Sequence, residues 1–470
     1  MTRIPHHGLG LSVDVYTPDL FELVEALERN GLDYGYLEIF KAAPAALELV
    51  RRRLPASLLS YHAEGLWVTQ PDPARLSPFH AELDETAEQL GILGSHWLNH
   101  ECAAKQMAGY SFGTYLPALF TEASAEVTAA NIAQAQQRLD RQSAARDGLG
   151  PLFLLETPPL TYAGFGDLGL ADFFRLVTDR TPCGLVLDIG HLWTIYRYTG
   201  EWRRRPLTAF LAELLDAFPL ERVVEIHMAG LAPHERVPEK YAAGEPPLWI
   251  DAHGAPIPDV LTDMLVQVIE HKGLAHLKGV ALEVDTKQIP MIVEEFTQAR
   301  ERFGDMVAPR VQTMQPHLGR EESSPLPLAA RPAPTASRLA EQYDRYARIV
   351  TGRDMGGLPV LGQEASALAL YVDHYLPHEI LEWGGAVREM FPETCRSLER
   401  AGIPLSEFVR FWFREPREAD QAYDFFLLKI ARFVEFVREV LPDALETAER
   451  EAQALREGYR AANEMVGTAS

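Results

Sequence analysis

Between Gly8 and about Phe303 the chain alternates short apolar runs with longer stretches whose apolar residues return every three or four positions. Continuous apolar runs of roughly four to eight residues predict buried strands, and the longer spacing predicts amphipathic helices. The segments read as strands are Tyr36–Phe40, Leu58–His62, His96–His100, Leu152–Glu156, Leu185–Asp188, Val223–His227, Leu248–His253 and Val280–Asp285. Apolar strands separated by helices predict a parallel sheet covered by helices. About eight such units in roughly 300 residues predict an α/β fold, a TIM (β/α)8 barrel. A doubly wound open sheet is the rival, and it usually carries a glycine-rich nucleotide turn. Gly8-Leu9-Gly10 lacks the third glycine of such a turn and is read as a chain start. In the first helix Thr17 is expected to cap, Pro18 to take the first position and Gly31 to end the helix.

The pattern changes after the barrel segment, residues 1–305. Residues 306–337 hold Pro309, Pro316, Pro325, Pro327, Pro332 and Pro334 among polar residues, which predicts an extended linker. Residues 338–470 read as all helix. Phe426, Ile430, Phe433, Val437 and Val440 keep helical spacing, as the core stripe of a bundle would. A chain of 470 residues, 47% hydrophobic, also exceeds what one core usually supports.

Charge and cysteine usage narrow the classes. A net charge of −23 opposes a nucleic-acid partner, because phosphate backbones repel it. Runs such as Arg51-Arg52-Arg53 are read as solvated faces. No apolar run reaches the ~18 residues of a membrane span. Cys102, Cys183 and Cys395 lie far apart, which fits a reducing, cytoplasmic setting.

The informative polar residues stand at the strand ends. His62, His100, Glu156, Asp188, His227 and Glu283 each close an apolar run, His191 follows Asp188 by three, and Asp251 and His253 stand two apart. In a barrel the strand ends and following loops converge at one mouth, where chemistry sits. One such residue alone is usually a helix cap or a satisfied hydrogen bond. All of them at one rim would repel one another unless cations intervene. Imidazole and carboxylate without thiolate suit Zn, Fe or Mn, and the set exceeds what one tetrahedral ion takes, so about two or three ions are expected.

In their order these motifs resemble the xylose-isomerase-like barrels, and the ligand set is similar to that of endonuclease IV. That resemblance implies one ion on His62, His100 and Glu156, a second on Glu156, Asp188, His227 and Glu283, and a third on His191, Asp251 and His253. Leu154-Leu155-Glu156-Thr157-Pro158, Val223-Val224-Glu225-Ile226-His227-Met228-Ala229-Gly230, Ile250-Asp251-Ala252-His253 and Leu282-Glu283-Val284-Asp285 carry a narrower likeness. They resemble the multinuclear non-haem iron-dependent oxidases (MNIO), the group that includes the methanobactin biosynthesis oxidase, over about residues 8–303. His191 stands where many of that group have Asn, and Leu231 where their Ala-Gly-His turn has His.

The MNIO resemblance implies mixed Fe(II)/Fe(III) ions, O2 as cosubstrate and a ribosomally synthesised precursor peptide whose modified residue is commonly Cys. It implies Glu156 as the bridging carboxylate. Glu38 and Asp285 are expected either to steer protons and orient substrate or to hold ligand histidines. Members of the group act with a small helical partner, so residues 338–470 imply a fused form of it, with no separate partner protein. A dimerisation module is the other reading. Three further functions stay open: phosphodiester hydrolysis, sugar isomerisation or epimerisation, and a peptide scaffold with structural metal. The full ligand set favours hydrolysis and the charge opposes it. Isomerisation would leave His191, Asp251 and His253 surplus, and structural zinc sites are usually closed and thiolate-rich.

Overall fold

The computed structural model describes residues 4–71, 79–144, 150–160, 164–234, 246–307, 333–353, 365–417 and 424–468. Eight parallel strands close into a barrel: β1 (Gly8–Val13), β2 (Leu37–Phe40), β3 (Leu59–His62), β4 (Trp97–Glu101), β5 (Leu152–Glu156), β6 (Gly184–Asp188), β7 (Val223–Met228) and β8 (Gly279–Glu283). Each pairs with its sequence neighbour, and β1 closes the ring by pairing Gly8–Ser12 with Gly279–Glu283. Helices follow most strands and cover the outside, as in a TIM barrel.

One strand differs from expectation. Leu248–His253 is not in the barrel. Its Trp249–Asp251 portion pairs antiparallel with Leu231–Pro233 as a ribbon beyond β7. The missing strand is Gly8–Val13, which the sequence presents as a chain start. Its glycines hide the strand pattern, and the barrel interior requires one of them. A Cβ on Gly10 would lie 2.4 Å from the Tyr36 ring. The first helix also starts differently. It spans Leu20–Arg29, and Asp19, not Thr17, accepts the backbone N–H groups of Phe21 and Glu22.

Strand alternation divides the barrel into an outer core against the helices and an inner column. Leu11, Ile39, Leu98, Leu155, Leu187 and Leu282 face outward into the helix layer. Tyr36, Trp97, Leu152, Leu154, Val186, Val224 and Ala281 fill the inside. Glu225 is buried with them. Tyr36 Oη donates to its Oε1 at 2.5 Å and Trp97 Nε1 to its Oε2 at 2.7 Å, so this carboxylate is satisfied in the dry interior.

After the barrel the described residues are helical, from Ala333–Val350 to Leu445–Thr468. Residues 308–332, the bulk of the expected linker, lie outside the described residues, and the helix Ala333–Val350 begins within the rest of it. In the helix Phe425–Val440, Ile430, Phe433 and Val437 are buried as the spacing predicts. These helices pack on a hairpin that follows β4, Ala103–Met107 with Tyr110–Pro117. Trp412 Nε1 donates to Ser111 O at 2.7 Å, and the Arg417 N–H donates to Gly109 O at 2.7 Å. Gly113 admits the helix Leu376–Leu381, since a Cβ there would lie 2.9 Å from Glu379 O. No helix among the described residues is long and apolar enough to cross a membrane.

Glu379 is buried at this junction, where burial pushes its carboxyl up from 4.5 to about 7. The folded chain therefore keeps a proton that the unfolded chain releases, and this group's stabilising effect is lost as pH rises through that window. Glu379→Gln should gain stability relative to the parent between about pH 5 and 8, by on the order of 2–3 kcal/mol. Thermal melts at the two pH values check it; a constant difference between parent and variant would refute it.

Candidate metal centre

The C-terminal ends of the strands bring most of the expected residues together. Glu156 at the end of β5 is 1% exposed and stands in the middle. Its Oε2 accepts from Asn99 Nδ2 at 2.5 Å and lies 3.6 Å from His62 Nε2 at the end of β3. Its Oε1 lies 3.4 Å from His227 Nδ1 on β7 and 3.8 Å from His191 Nδ1. The same His227 nitrogen stands 3.3 Å from Glu283 Oε1 on β8. Glu156, His227 and Glu283 form one group with metal-ligand spacing, and Glu156, Asp188 and His191 form another.

Asp188 closes β6 and caps the next helix, Ile189–Tyr198, by accepting the His191 N–H at 2.5 Å. The cap is the ordinary role of a strand-end Asp, yet its Oδ2 remains buried without a hydrogen-bond partner. His191 Nδ1 lies 2.6 Å from Thr157 O. A carbonyl only accepts, so Nδ1 carries a proton, and Nε2 is the nitrogen turned towards the other acidic residues of the rim. That Nε2 faces Asp251 Oδ2 at 3.4 Å, and His253 Nε2 faces the same oxygen at 3.1 Å. His253 Nε2 is also 3.5 Å from Glu283 Oε2, which links this trio to the Glu156 group.

Glu38 and Asp285 each meet a histidine. Glu38 Oε1 accepts from Ser12 Oγ at 2.8 Å and lies 3.2 Å from His227 Nε2, behind the ring face that meets Glu156. Asp285 hydrogen-bonds His253 Nδ1. Glu38 therefore stands where a carboxylate would orient the His227 ring, and Asp285 where one would orient His253.

His100 is not brought into the set. Its Nδ1 donates to Glu101 O at 2.8 Å and its Nε2 accepts the Leu66 N–H at 3.2 Å, so both ring nitrogens are used. Burial holds it neutral, near a pKa of about 4. The strand period explains this: Asn99 points inward to Glu156, so His100 points outward. The neighbouring Glu101, which closes β4 but does not stand out in the sequence beside His100, takes the inward place. It is paired in register with Glu156, and Asn99, two residues before it, shares its face.

The electrostatics are those of crowded carboxylates with too few cations. Burial pushes Asp188 up to about 8, helped by Glu283, Glu156 and Asp251. It pushes Glu101 up to about 7, with Glu156 adding to the effect. Burial opposes charge on His62 as well, but the hydrogen bond to Glu156 and the charges of Glu101 and Glu38 outweigh it and raise the imidazole to about 10. Burial likewise disfavours charge on Glu156, yet the surrounding histidines hold it well below the ordinary carboxylate range.

These residues fit metal ions on their own geometry. His62 Nδ1, both nitrogens of His227, Glu38 Oε2, Glu101 Oε2, Asp188 Oδ2, Asp251 Oδ1 and Glu283 Oε2 are buried without hydrogen-bond partners. Buried polar groups are nearly always satisfied, so such a concentration marks a place for bound cations. Two rim residues hold backbone conformations unusual for side-chain-bearing residues, Trp67 at φ 37° and Thr286 at φ 64°. Strain of this kind clusters at functional sites.

Comparison with known proteins gives a consistent result. The chain is 30% identical over 275 residues to a UPF0276 protein of Caulobacter sp. (strain K31), covering 57% of this chain and 86% of that one. A UPF0276 protein of Caulobacter vibrioides (strain NA1000 / CB15N) is 29% identical over 273 residues, with 57% and 85% covered. Among solved structures, endonuclease IV from Thermus thermophilus is similar at 16% identity and a TM-score of 0.39, over 63% of this chain and 99% of that one. A D-tagatose 3-epimerase-like protein is similar at 14% identity and a TM-score of 0.34, over 63% and 98%. Scores this low bear on neither hydrolysis nor epimerisation. The family described as RiPP precursor modification enzyme MbnB/TglH/ChrH matches residues 35–303, the stretch that supplies every residue of the centre, and the chain belongs to that family.

Proposed function

We propose that this protein is a multinuclear iron-dependent oxidase that uses O2 to modify a residue, Cys in the first instance, of a ribosomally synthesised precursor peptide. The observation that carries the reading is the group of buried, partnerless ligand atoms around Glu156 in a chain of this family. Three ligand sets are assigned. His62 with Glu156 forms one, Glu156 with Asp188, His227 and Glu283 the second, and His191 with Asp251 and His253 the third. Iron ions bound there would supply a Lewis-acid anchor for a thiolate and one-electron redox steps towards O2.

The chain's own part is positional. Glu156 turns one oxygen to each side, and Asn99 holds the outer one. Thr157 O fixes the His191 tautomer so that Nε2 faces Asp251. Asp285 and Glu38 hold the rings of His253 and His227. Tyr36 and Trp97 close the floor beneath, so that approach to the ions is from the rim. The expected boundaries, residues 1–305 for the catalytic barrel and 338–470 for a fused substrate-recognition partner, belong to the same proposal. The packing of the helices on the hairpin after β4 supports it, because that hairpin leaves the barrel at the metal-bearing rim.

Three outcomes follow. Anaerobic loading of the full chain with Fe(II) should give about two or three ions per chain by metal analysis, an electron-spin signal after partial oxidation, and O2 uptake with a Cys-containing precursor peptide. Uptake of Zn or Mn alone, without O2 consumption, would end the oxidase reading. Glu156→Gln should lose more than one ion, because its two oxygens serve two sets. Metal should also raise the melting temperature of the parent, since ions bind the folded rim alone; a hundredfold excess over Kd corresponds to about 2.7 kcal/mol. No shift on adding or chelating metal would count against a centre of any kind.

A further inference from the structure

We propose that Glu101, not His100, completes the ligand set that His62 and Glu156 begin. The inference rests on the metal-centre reading above and concerns which side chain of β4 the ion would meet. Three observations carry it. The first is backbone register: Glu101 pairs with Glu156 on the adjacent strand, and His62 pairs with Asn99, so Asn99 and Glu101 stand on the inner face beside both ligands. The second is hydrogen bonding. His100 spends both ring nitrogens, one on Glu101 O and one on the Leu66 N–H, and lies between the rings of Trp67 and Tyr115 at centroid distances of 6.5 and 6.4 Å. To ligate an ion it would have to give up a buried backbone N–H. The third is what is left over. Glu101 Oε2 and His62 Nδ1 are buried without hydrogen-bond partners, and His62 as a residue is 4% exposed. The Tyr115 hydroxyl is buried beside Glu101 on the same side of the rim.

A carboxylate at this place changes the chemistry of the ion. An imidazole ligand is neutral, whereas a carboxylate adds a negative charge in a buried site, where charge interactions are strong. It therefore favours the more positive oxidation state of the ion. Lys105 stands at the outer side, 3.1 Å from Glu64 and 4.5 Å from the centroid of the Tyr115 ring, and tempers that charge towards solvent.

The test is metal content of the full chain loaded anaerobically with Fe(II), beside the melting temperature of the metal-free protein. Glu101→Gln should lose about one ion per chain while its metal-free form melts no lower than the parent, since the change removes a buried charge. Glu101→Asp, which keeps the carboxylate on a shorter arm, should recover part of that ion. His100→Gln should hold the parent's content even if it melts lower, because it disturbs packing and the Leu66 N–H. Full metal content in Glu101→Gln, or loss of an ion in His100→Gln, would overturn the assignment and leave the centre itself standing. A parent chain that binds no iron would overturn both.

Discussion

The structure depends on how the barrel tolerates several carboxylates at one buried rim. Glu156, Asp188, Glu283, Glu38 and Glu101 converge there, with His62, His191, His227 and His253 between them. Like charges a few ångströms apart in a poorly polarisable interior cannot all ionise without compensation. The histidines supply part of it by holding protons, and that is why their basicities rise against the pull of burial. The rest is left as unpartnered oxygen and nitrogen atoms. A rim built this way is costly to fold and poised to exchange protons for cations.

The barrel meets that cost by layering. Beneath the rim, Tyr36 and Trp97 satisfy Glu225 completely, and apolar side chains from the other strands fill the space around them. This floor keeps water from reaching the centre from below. His227 joins the two layers, with Nε2 towards Glu38 and Glu225 and Nδ1 towards Glu156 and Glu283. One imidazole thus ties the orientation of the upper ligands to the packing of the floor.

The helices after the barrel touch the parts of the rim that the strands cannot fix. Tyr375 of the helical region shares a hydrogen bond with Tyr198 Oη at 3.2 Å, and Tyr198 in turn donates to Trp249 O at 3.1 Å. Trp249 lies on the ribbon that carries Asp251. The hairpin after β4 is clamped through Ser111, Gly109 and Gly113. Both off-barrel elements that extend from the rim therefore rest on the helical region.

Much of this was legible in the amino-acid order. Apolar runs between amphipathic stretches determined a helix-covered parallel barrel, because a strand buried on both faces has no polar positions to spare until it ends. The ends then stood out as His, Asp and Glu, and most of the centre could be named from them. Glu38, at an inward position of β2, and Asp285, just beyond β8, were named through the family resemblance. The chain order did not show β1, whose Gly10 makes room for Tyr36 and whose two glycines leave a short apolar signature. Nor did it show that Asp251 sits on a ribbon beyond the barrel with His253 in the turn that follows, since three strand-like residues read alike in either place. The choice between His100 and Glu101 was invisible for a different reason. Adjacent residues of a strand face opposite sides, and which side is the interior was decided by the pairing of β4 with β3 and β5, a contact between segments far apart in the chain.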